Sequence, residues 1–474
     1  MHNDKESPFT LTLLDGDLSL QVLQFSGREA LNQPYRFDIE VIALAPAMSL
    51  DRLLQQPAYL GLGAGQGIHG VLHSASREHR GPLRIGYKLR LGPYLQALDR
   101  QRVRRIFHHL SVPMILRQLL EEHELPEGSY RFELANGHYP QRPFCIQYEE
   151  SDLALLQRLC EEEGIHYHFE HKRDGHVLVL ADDSMSFAQE PLLIPFEGDA
   201  CGESVLPVIS ELFQRHDSPP SSPRLDANNR GSKNPDDGAA NHSFARSSPM
   251  LARPAPEQTR RDQLSRRHLE RLRSQHLQTH GQSNQSAMHS ARIVQVANHP
   301  MSGFNDQWLI TETRHQGRQP SILAVDQPDV VRHYRNQFTA IPWSTVFRPA
   351  LKQLRPSIPG HQPARVLGTA GQPAELDDRG RIQVRLWPTT ESDADESAGI
   401  WLPLAFAAPD GRVDPSRLPR AGSDVLINFL DSDPDRPMLC AGMSDQQRSK
   451  SSPEPRSDTR LLLDWLVNRS DLAP

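Results

Sequence analysis

Between Pro363 and Met443 the chain alternates short apolar runs with turn signals, and this alternation leaves few folds open. ARVLGTAG, DDRGRIQVRLWP and LPRAGSDVLINFLDSDPDRPMLCAGM each hold a stretch in which every second residue is apolar. Strand side chains alternate between faces, so such runs bury one face and wet the other. Three of them, punctuated by Gly, Pro and Asp, describe a small β-barrel closing a longer multi-domain chain. The last ends in the proline-bracketed acidic turn DPDRP. None of these residues is spaced for chemistry, so a mechanical part is expected rather than a catalyst.

At 474 residues the chain has room for two to four domains. Hydrophobic residues make up 37% and prolines number 39, a balance that points to long loops and surfaces needing partners. A formal net charge of -7 disfavours broad binding to a phosphate backbone. Cys145, Cys160, Cys201 and Cys440 are spread out with no C-x-x-C pair, which reads as buried free thiols in a reducing compartment. The N-terminus MHNDKESPFT lacks the order of an export signal, and no run approaches the roughly 18 apolar residues of a membrane span. Cytoplasmic synthesis is expected, with any export by a route other than a signal peptide.

Residues 9–23 read as a hairpin turning at Asp15-Gly16, and Tyr35, Phe37, Ile39 and Val41 as a further strand. GLGAGQG at 61–67 is followed by a strand-like run, not a helix, so it reads as a hairpin loop rather than a phosphate cradle. Ser111 and Ser151 are placed to cap two helices. The first turns Ile115, Leu116, Leu119 and Leu120 inward; the second buries Leu153, Leu156 and Cys160 with Leu155 and Leu159 beside them, and stops at Gly164. A hairpin turning at Asp174-Gly175 follows, with Ile165, Tyr167 and Phe169 on one face and His166, His168 and Glu170 on the other. The polar, proline-rich stretch around 215–256 reads as a disordered loop. Residues 257–279 have a helical pattern with a loose leucine stripe and arginines expected to face solvent. Strand-like ARIVQVANHP and DQWLITETRH and a proline-punctuated connector lead into the last barrel.

The order of several segments is similar to that of the VgrG family, the spike proteins of type VI secretion machines. They are LQFSGREALNQPYRFDIEV, YKLRLGPYLQALDRQRVRRIFHHLSVPMIL, CIQYEESDLALLQRLCEEEGIHYHFEH, FTAIPWSTVFRP, DDRGRIQVRLWP and VLINFLDSDPDRPM. The resemblance covers roughly residues 9–443. It implies a mainly β fold with some α. Residues 1–355 resemble the baseplate hub of contractile phage tails, 361–443 the OB-fold barrel of the phage spike, and 444–474 form a polar linker and short helix. It implies a homotrimer in which two related barrel units per chain approximate six-fold symmetry and cap a tube of hexameric rings. No internal repeat is visible in the sequence itself. The implied role is a structural spike-hub component, assembled in the cytoplasm and driven outward by sheath contraction. Tube protein, baseplate components and a separate tip, adaptor or effector are the implied partners, with no cofactor and no nucleic acid. A contractile phage tail or tailocin hub is the alternative, and a peptidoglycan hydrolase a further one. Two features depart from the family. ESDADESAGIWLPLAFAAPDGRVDPSRLP stands where an aromatic-glycine stretch is usual. The valine-glycine repeats of a β-helix needle are absent, so the needle is expected to be missing or supplied by another polypeptide. RLLLDWLVNR, with Leu461, Leu462, Trp465 and Leu466 on its apolar face, reads as a candidate dock for a separate tip, adaptor or toxin, or equally as a frayed tail.

His166, His168 and His171 lie within six residues. Two imidazoles on one strand face can meet at a metal, but spacing fixes no third ligand, and a polar strand face accounts for them. The adjacent His108 and His109 diverge. Asp431, Asp433 and Asp435 open like a calcium loop, yet Arg436 and Gly442 stand where such a loop needs Gly and a carboxylate. A tight turn with Arg436 paired to a carboxylate is expected instead. Trp387, Trp401, Phe406 and Phe429 are expected in the barrel core or a three-fold interface. Residues 361–443 carry eight arginines, no lysine and thirteen acidic residues, a net of -5 that opposes a phosphate ligand. G-x-S-x-G, H-E-x-x-H and P-loop motifs do not occur. No catalytic, cofactor-binding or metal residue is therefore assigned.

Overall fold

A computed structural model describes residues 9–16, 18–81, 83–198, 206–214, 255–323, 330–388, 399–405 and 418–442. The loop expected at 215–256, apart from its last two residues, lies outside them, as do the C-terminal linker and helix, Phe406 and Cys201.

The chain begins with β1 (Phe9–Leu13), β2 (Leu18–Ala30), β3 (Gln33–Leu44), the single turn α1 (Leu50–Leu53), β4 (Pro57–Gly63), β5 (Gln66–His79) and β6 (Arg84–Gly92). These strands bond in the order β1-β4-β5-β6-β3-β2, and β2 returns to β1. The sheet therefore closes into a ring that leaves no open edge. Its hairpin between β4 and β5 turns on Ala64 and Gly65, both left-handed, as the mirror-image two-residue turn requires. Tyr35, Phe37, Ile39 and Val41 are all buried, which is the alternation read from the sequence.

Next come β7 (Arg102–Leu110), α2 (Val112–Glu122), β8 (Tyr130–Glu133), β9 (Arg142–Ser151), α3 (Asp152–Glu163) and the hairpin β10 (His166–His171) and β11 (His176–Ala181). Helix α2 buries Ile115, Leu116, Leu119 and Leu120. Ser111 occupies its N-cap position, but the hydroxyl makes no cap bond. Ser151 does cap α3, accepting from the Ala154 amide at 3.2 Å, and Gly164 ends that helix in the left-handed conformation.

A second ring follows: β12 (Ala188–Pro195), β13 (Ile209–Gln214), then α4 (Ala255–His276), β14 (Thr279–Ser283), β15 (Arg292–Ala297), β16 (Gln307–Arg318) and β17 (His333–Pro342). Its order is β12-β15-β16-β17-β14-β13, and a bridge between Phe196 and Ile209 closes it. Numbered one to six in chain order, the strands of both rings read 1-4-5-6-3-2. The repeat absent from the sequence is present in the topology. One strand departs: β1 is antiparallel to its partner β4, whereas β12 runs parallel to β15. Strands β2 and β16 pair antiparallel from Ala30–Glu312 to Gln24–Arg318 and join the rings into one sheet.

The last strands are β18 (His361–Val366), β19 (Ile382–Leu386), β20 (Ile400–Leu402), β21 (Asp424–Phe429) and β22 (Pro437–Gly442), in the order β20-β19-β18-β21-β22. A Leu404–Leu439 bridge closes this five-stranded barrel, whose ring order is that of an OB fold. The sequence reading found three of the five strands. It missed β20, too short to show alternation, and β22, which opens on a proline. Val384, Leu402, Ile427 and Leu439 fill the core, joined by Ile146 and Tyr148 of β9. The chain divides into two compact units: one holds 1–105, 109–142 and 149–355, the other 106–108, 143–148 and the residues from 356 on.

Phenylalanines lie across glycines on neighbouring strands, including Phe37 opposite Gly27 and Phe338 opposite Gly281. A Cβ on Gly281 would strike the Phe338 ring and stand 2.6 Å from the Glu211 carbonyl oxygen. Gly281→Val is expected to cost about 1–3 kcal/mol of stability. Gly65→Asn should be near neutral, because a Cβ there meets nothing within 4 Å and Asn tolerates left-handed backbone. Thermal unfolding of both variants checks this; equal losses would refute the packing argument.

Candidate functional site

Helix α4 reverses the amphipathic order expected of it. Gln263, Arg267, Arg271 and Ser274 form its buried face, while Leu269 and Leu272 are 55% and 40% exposed. The reason lies at the C-terminus of α3, whose last carbonyls have no partner within the helix. Arg267 donates to the Glu163 carbonyl, Arg271 donates to the Glu161 carbonyl at 2.7 Å, and Arg348 donates to the Gly164 carbonyl at 3.0 Å. Three guanidinium groups thus cap one helix end and oppose its negative dipole. Arg267 also stacks over Tyr139 at 5.3 Å and sits 4.0 Å from buried Asp182. Arg271 donates at 2.7 Å to the Pro349 carbonyl, and Glu161 accepts from the Lys352 and Gln353 amides, so the proline-rich connector is pinned to the same point. Arg261, Arg266 and Arg273 of this helix face solvent as expected, whereas Arg267 and Arg271 lie inside because planar donors were needed there.

The second polar cluster is made of histidines. The expected polar face of β10 is not solvated: His166 and His168 are buried beneath Phe187, and His166 meets the Ser186 hydroxyl at 3.0 Å. Burial comes first in pushing His168 down to about 4 and His166 well below its ordinary value; His168 and Arg348 add to the effect on His166, while Glu170 opposes it on His168. His171 turns elsewhere, edge-on to Tyr35 with ring centroids 4.8 Å apart. Hence the three histidines grouped by sequence do not converge.

Sequence reasoning missed the residues that do converge, since they are far apart in the chain. His69 Nδ1 lies 2.9 Å from His176 Nδ1, and His176 Nε2 accepts from the Tyr94 amide. The proton of His176 must then sit on Nδ1 and point at His69. Burial pushes His176 down to about 2 and His69 to about 4. Nearby, Glu29 Oε1 accepts from His289 Nδ1 at 2.8 Å and from His315 Nε2 at 2.6 Å. Burial alone would raise the Glu29 carboxyl, but the two imidazoles hold it well below the usual range. These three side chains offer ligand atoms within 4.8 Å of one another.

The remaining residues singled out by sequence are placed simply. His108 is half-buried and His109 exposed. Arg436 donates to Asp431 at 2.7 Å across a turn in which Asp431 and Ser432 are left-handed, and the Asp435 amide bonds to Asp433. Phe429 is in the barrel core, Trp387 packs against it, and Trp401 is half-buried. Cys145 and Cys160 are buried, and Cys440 is only half-buried.

Two rings of one order followed by an OB barrel is an unusual architecture, and comparison with known proteins gives it a family. A profile described as the phage tail baseplate hub matches residues 28–321, more than half of the chain. The chain belongs to that family. The type VI secretion system spike proteins VgrG5 and VgrG4b of Pseudomonas aeruginosa are 37% and 34% identical to this hub protein over 96% and 92% of its length. It spans 60% and 56% of theirs. A solved Escherichia coli structure superposes with a TM-score of 0.67 at 25% identity, covering 90% of this hub protein and 97% of that chain. That protein is described as a component of the type VI secretion system with structural similarity to the T4 bacteriophage tail proteins gp27 and gp5. Among the described residues of this hub protein, no helix is long and apolar enough to cross a membrane.

Two measurements probe the polar interior. Arg267→Ala removes one of the three caps of α3 and leaves the Glu163 carbonyl without that donor, while Glu163 keeps Arg142 and Arg260, so it should cost about 1–3 kcal/mol in chemical denaturation, with Arg267→Lys intermediate. An alanine variant as stable as the parent would show that the guanidinium does not cap. The second concerns pH. An unfolded histidine takes a proton near pH 6.5, whereas folded His168 does so only at about 4. The unfolded state therefore binds more protons as pH falls through that window. Stability should be full above about pH 6.5 and decline toward pH 4, and His168→Asn should make that decline shallower in melting curves.

Proposed function

We propose that this chain is a structural hub-and-spike component of a type VI secretion apparatus. It acts as a homotrimer, caps the hexameric tube, and is carried outward from the cytoplasm when the sheath contracts. The observation that carries the reading is the pair of equal-ordered rings. Three chains around one axis present six such rings, the number a hexameric tube end requires. The identity to spike proteins favours type VI secretion. The family profile, drawn on phage tails, supports a contractile-tail hub as the second reading. In either setting the chain serves by shape, as a non-catalytic part that bears a tip, adaptor or effector.

Light scattering of the purified chain at micromolar concentration should give about three times the 53.5 kDa protomer mass. A stable monomer at that concentration would overturn the trimeric hub.

A further inference from the structure

Glu29 on β2, His289 in the turn before β15 and His315 on β16 come from both rings and meet at one point. We propose that they bind a divalent ion of the zinc class, which clips the first ring to the second. This goes beyond the hub reading and does not depend on it.

The donor set is two imidazoles and one carboxylate. That combination suits zinc and its neighbours, whereas calcium and magnesium take oxygen ligands. The His289 and His315 ring centroids are 5.8 Å apart. Two imidazoles bound at about 2.0–2.1 Å to one ion place their centroids roughly 5–6 Å apart. The nitrogen-to-Oε1 distances of 2.8 and 2.6 Å need to open by about half an ångström to admit the ion. His289 stands in a turn with its side chain partly exposed, so it has the freedom to move and gives the ion a way in.

Three further observations point to a cation. Glu29 is only 3% exposed, and among the described residues its ion-pair partners are these two histidines, with no lysine or arginine against it. A buried carboxylate so placed calls for positive charge. Tyr334 Oη lies 2.7 Å from His315 Nδ1, where an outer partner would orient the ring for coordination through Nε2. Finally, His171 has both ring nitrogens shut off from solvent and unbonded, with its ring 6.5 Å from that of His289. Its nitrogens fall outside the group of ligand atoms within 4.8 Å of one another, so it flanks the site rather than completing it.

The test uses the full chain stripped with a chelator and titrated with Zn2+ alone by calorimetry, and with Co2+ followed by visible ligand-field absorption. One equivalent per chain is expected, with a rise in Tm on loading. His289→Ala, a change in an accessible turn that should leave the fold intact, is expected to weaken binding at least about tenfold and abolish the Tm rise. Glu29→Gln should do the same. His166→Asn, in the other histidine cluster, should bind as the parent does. Absence of stoichiometric binding overturns the proposal, and so does binding that His289→Ala leaves unchanged; the Tm of the metal-free variants separates loss of a ligand from loss of the fold.

Discussion

The pairing of β2 with β16 is the constraint on which the first unit depends. Each strand already belongs to a closed ring, so the seam uses parts of both strands that ring closure leaves over. Its register decides what meets across it. Gly27 lies between Phe37 on one side and His315 on the other. Lacking a side chain, it lets those two rings approach to 5.4 Å over its backbone. His315 is thereby turned toward Glu29, two residues along β2. A slip of one residue would send every side chain of the seam to the opposite face. The seam would then lose its aromatic contacts and its carboxylate–imidazole contacts together.

Local structure was legible wherever a short-range rule acts alone. The Ala64-Gly65 turn, the Ser151 cap and the Gly164 stop each follow from the conformational preference of one or two residues. The two rings were not legible, because ring closure is a relation between strands far apart in sequence. Phe9–Leu13 pairs with both Leu18–Ala30 and Pro57–Gly63, and nothing in those runs names the partner. The reversal of β12 relative to β1 shows that the two halves have also diverged in backbone direction. A repeat that survives as strand order need not survive as similar residues.

The polar sites were misjudged for a different reason. Periodicity finds the stripes of a helix but does not say which stripe faces inward, and hydrophobicity is only a guide when the neighbour is apolar. The neighbour of α4 is the end of α3, where carbonyls still have room for donors from outside the helix, so the inward stripe is Gln263, Arg267, Arg271 and Ser274. Likewise, alternation along β10 correctly separated His166 and His168 from Tyr167, yet both faces of this strand are covered. Glu29 converges with His289 and His315 from 260 and 286 positions away, a separation that leaves no spacing signal at all.

The kind of interior these sites create bears on mechanical use. Apolar packing is non-directional, so a helix can shift by an ångström and keep most of its buried area. A guanidinium fork on two carbonyls, or an imidazole on a buried carboxylate, is directional, and the same shift breaks bonds and strands charge where water cannot reach it. Arg267, Arg271 and Arg348 tie α4, the end of α3 and the 348–353 connector at one place. Glu29, His289 and His315 tie the two rings at another. Such contacts add little net stability compared with leucines of equal volume, but they resist small displacements steeply. A body loaded along its axis, as the proposed role demands, gains more from that resistance than from a larger folding free energy.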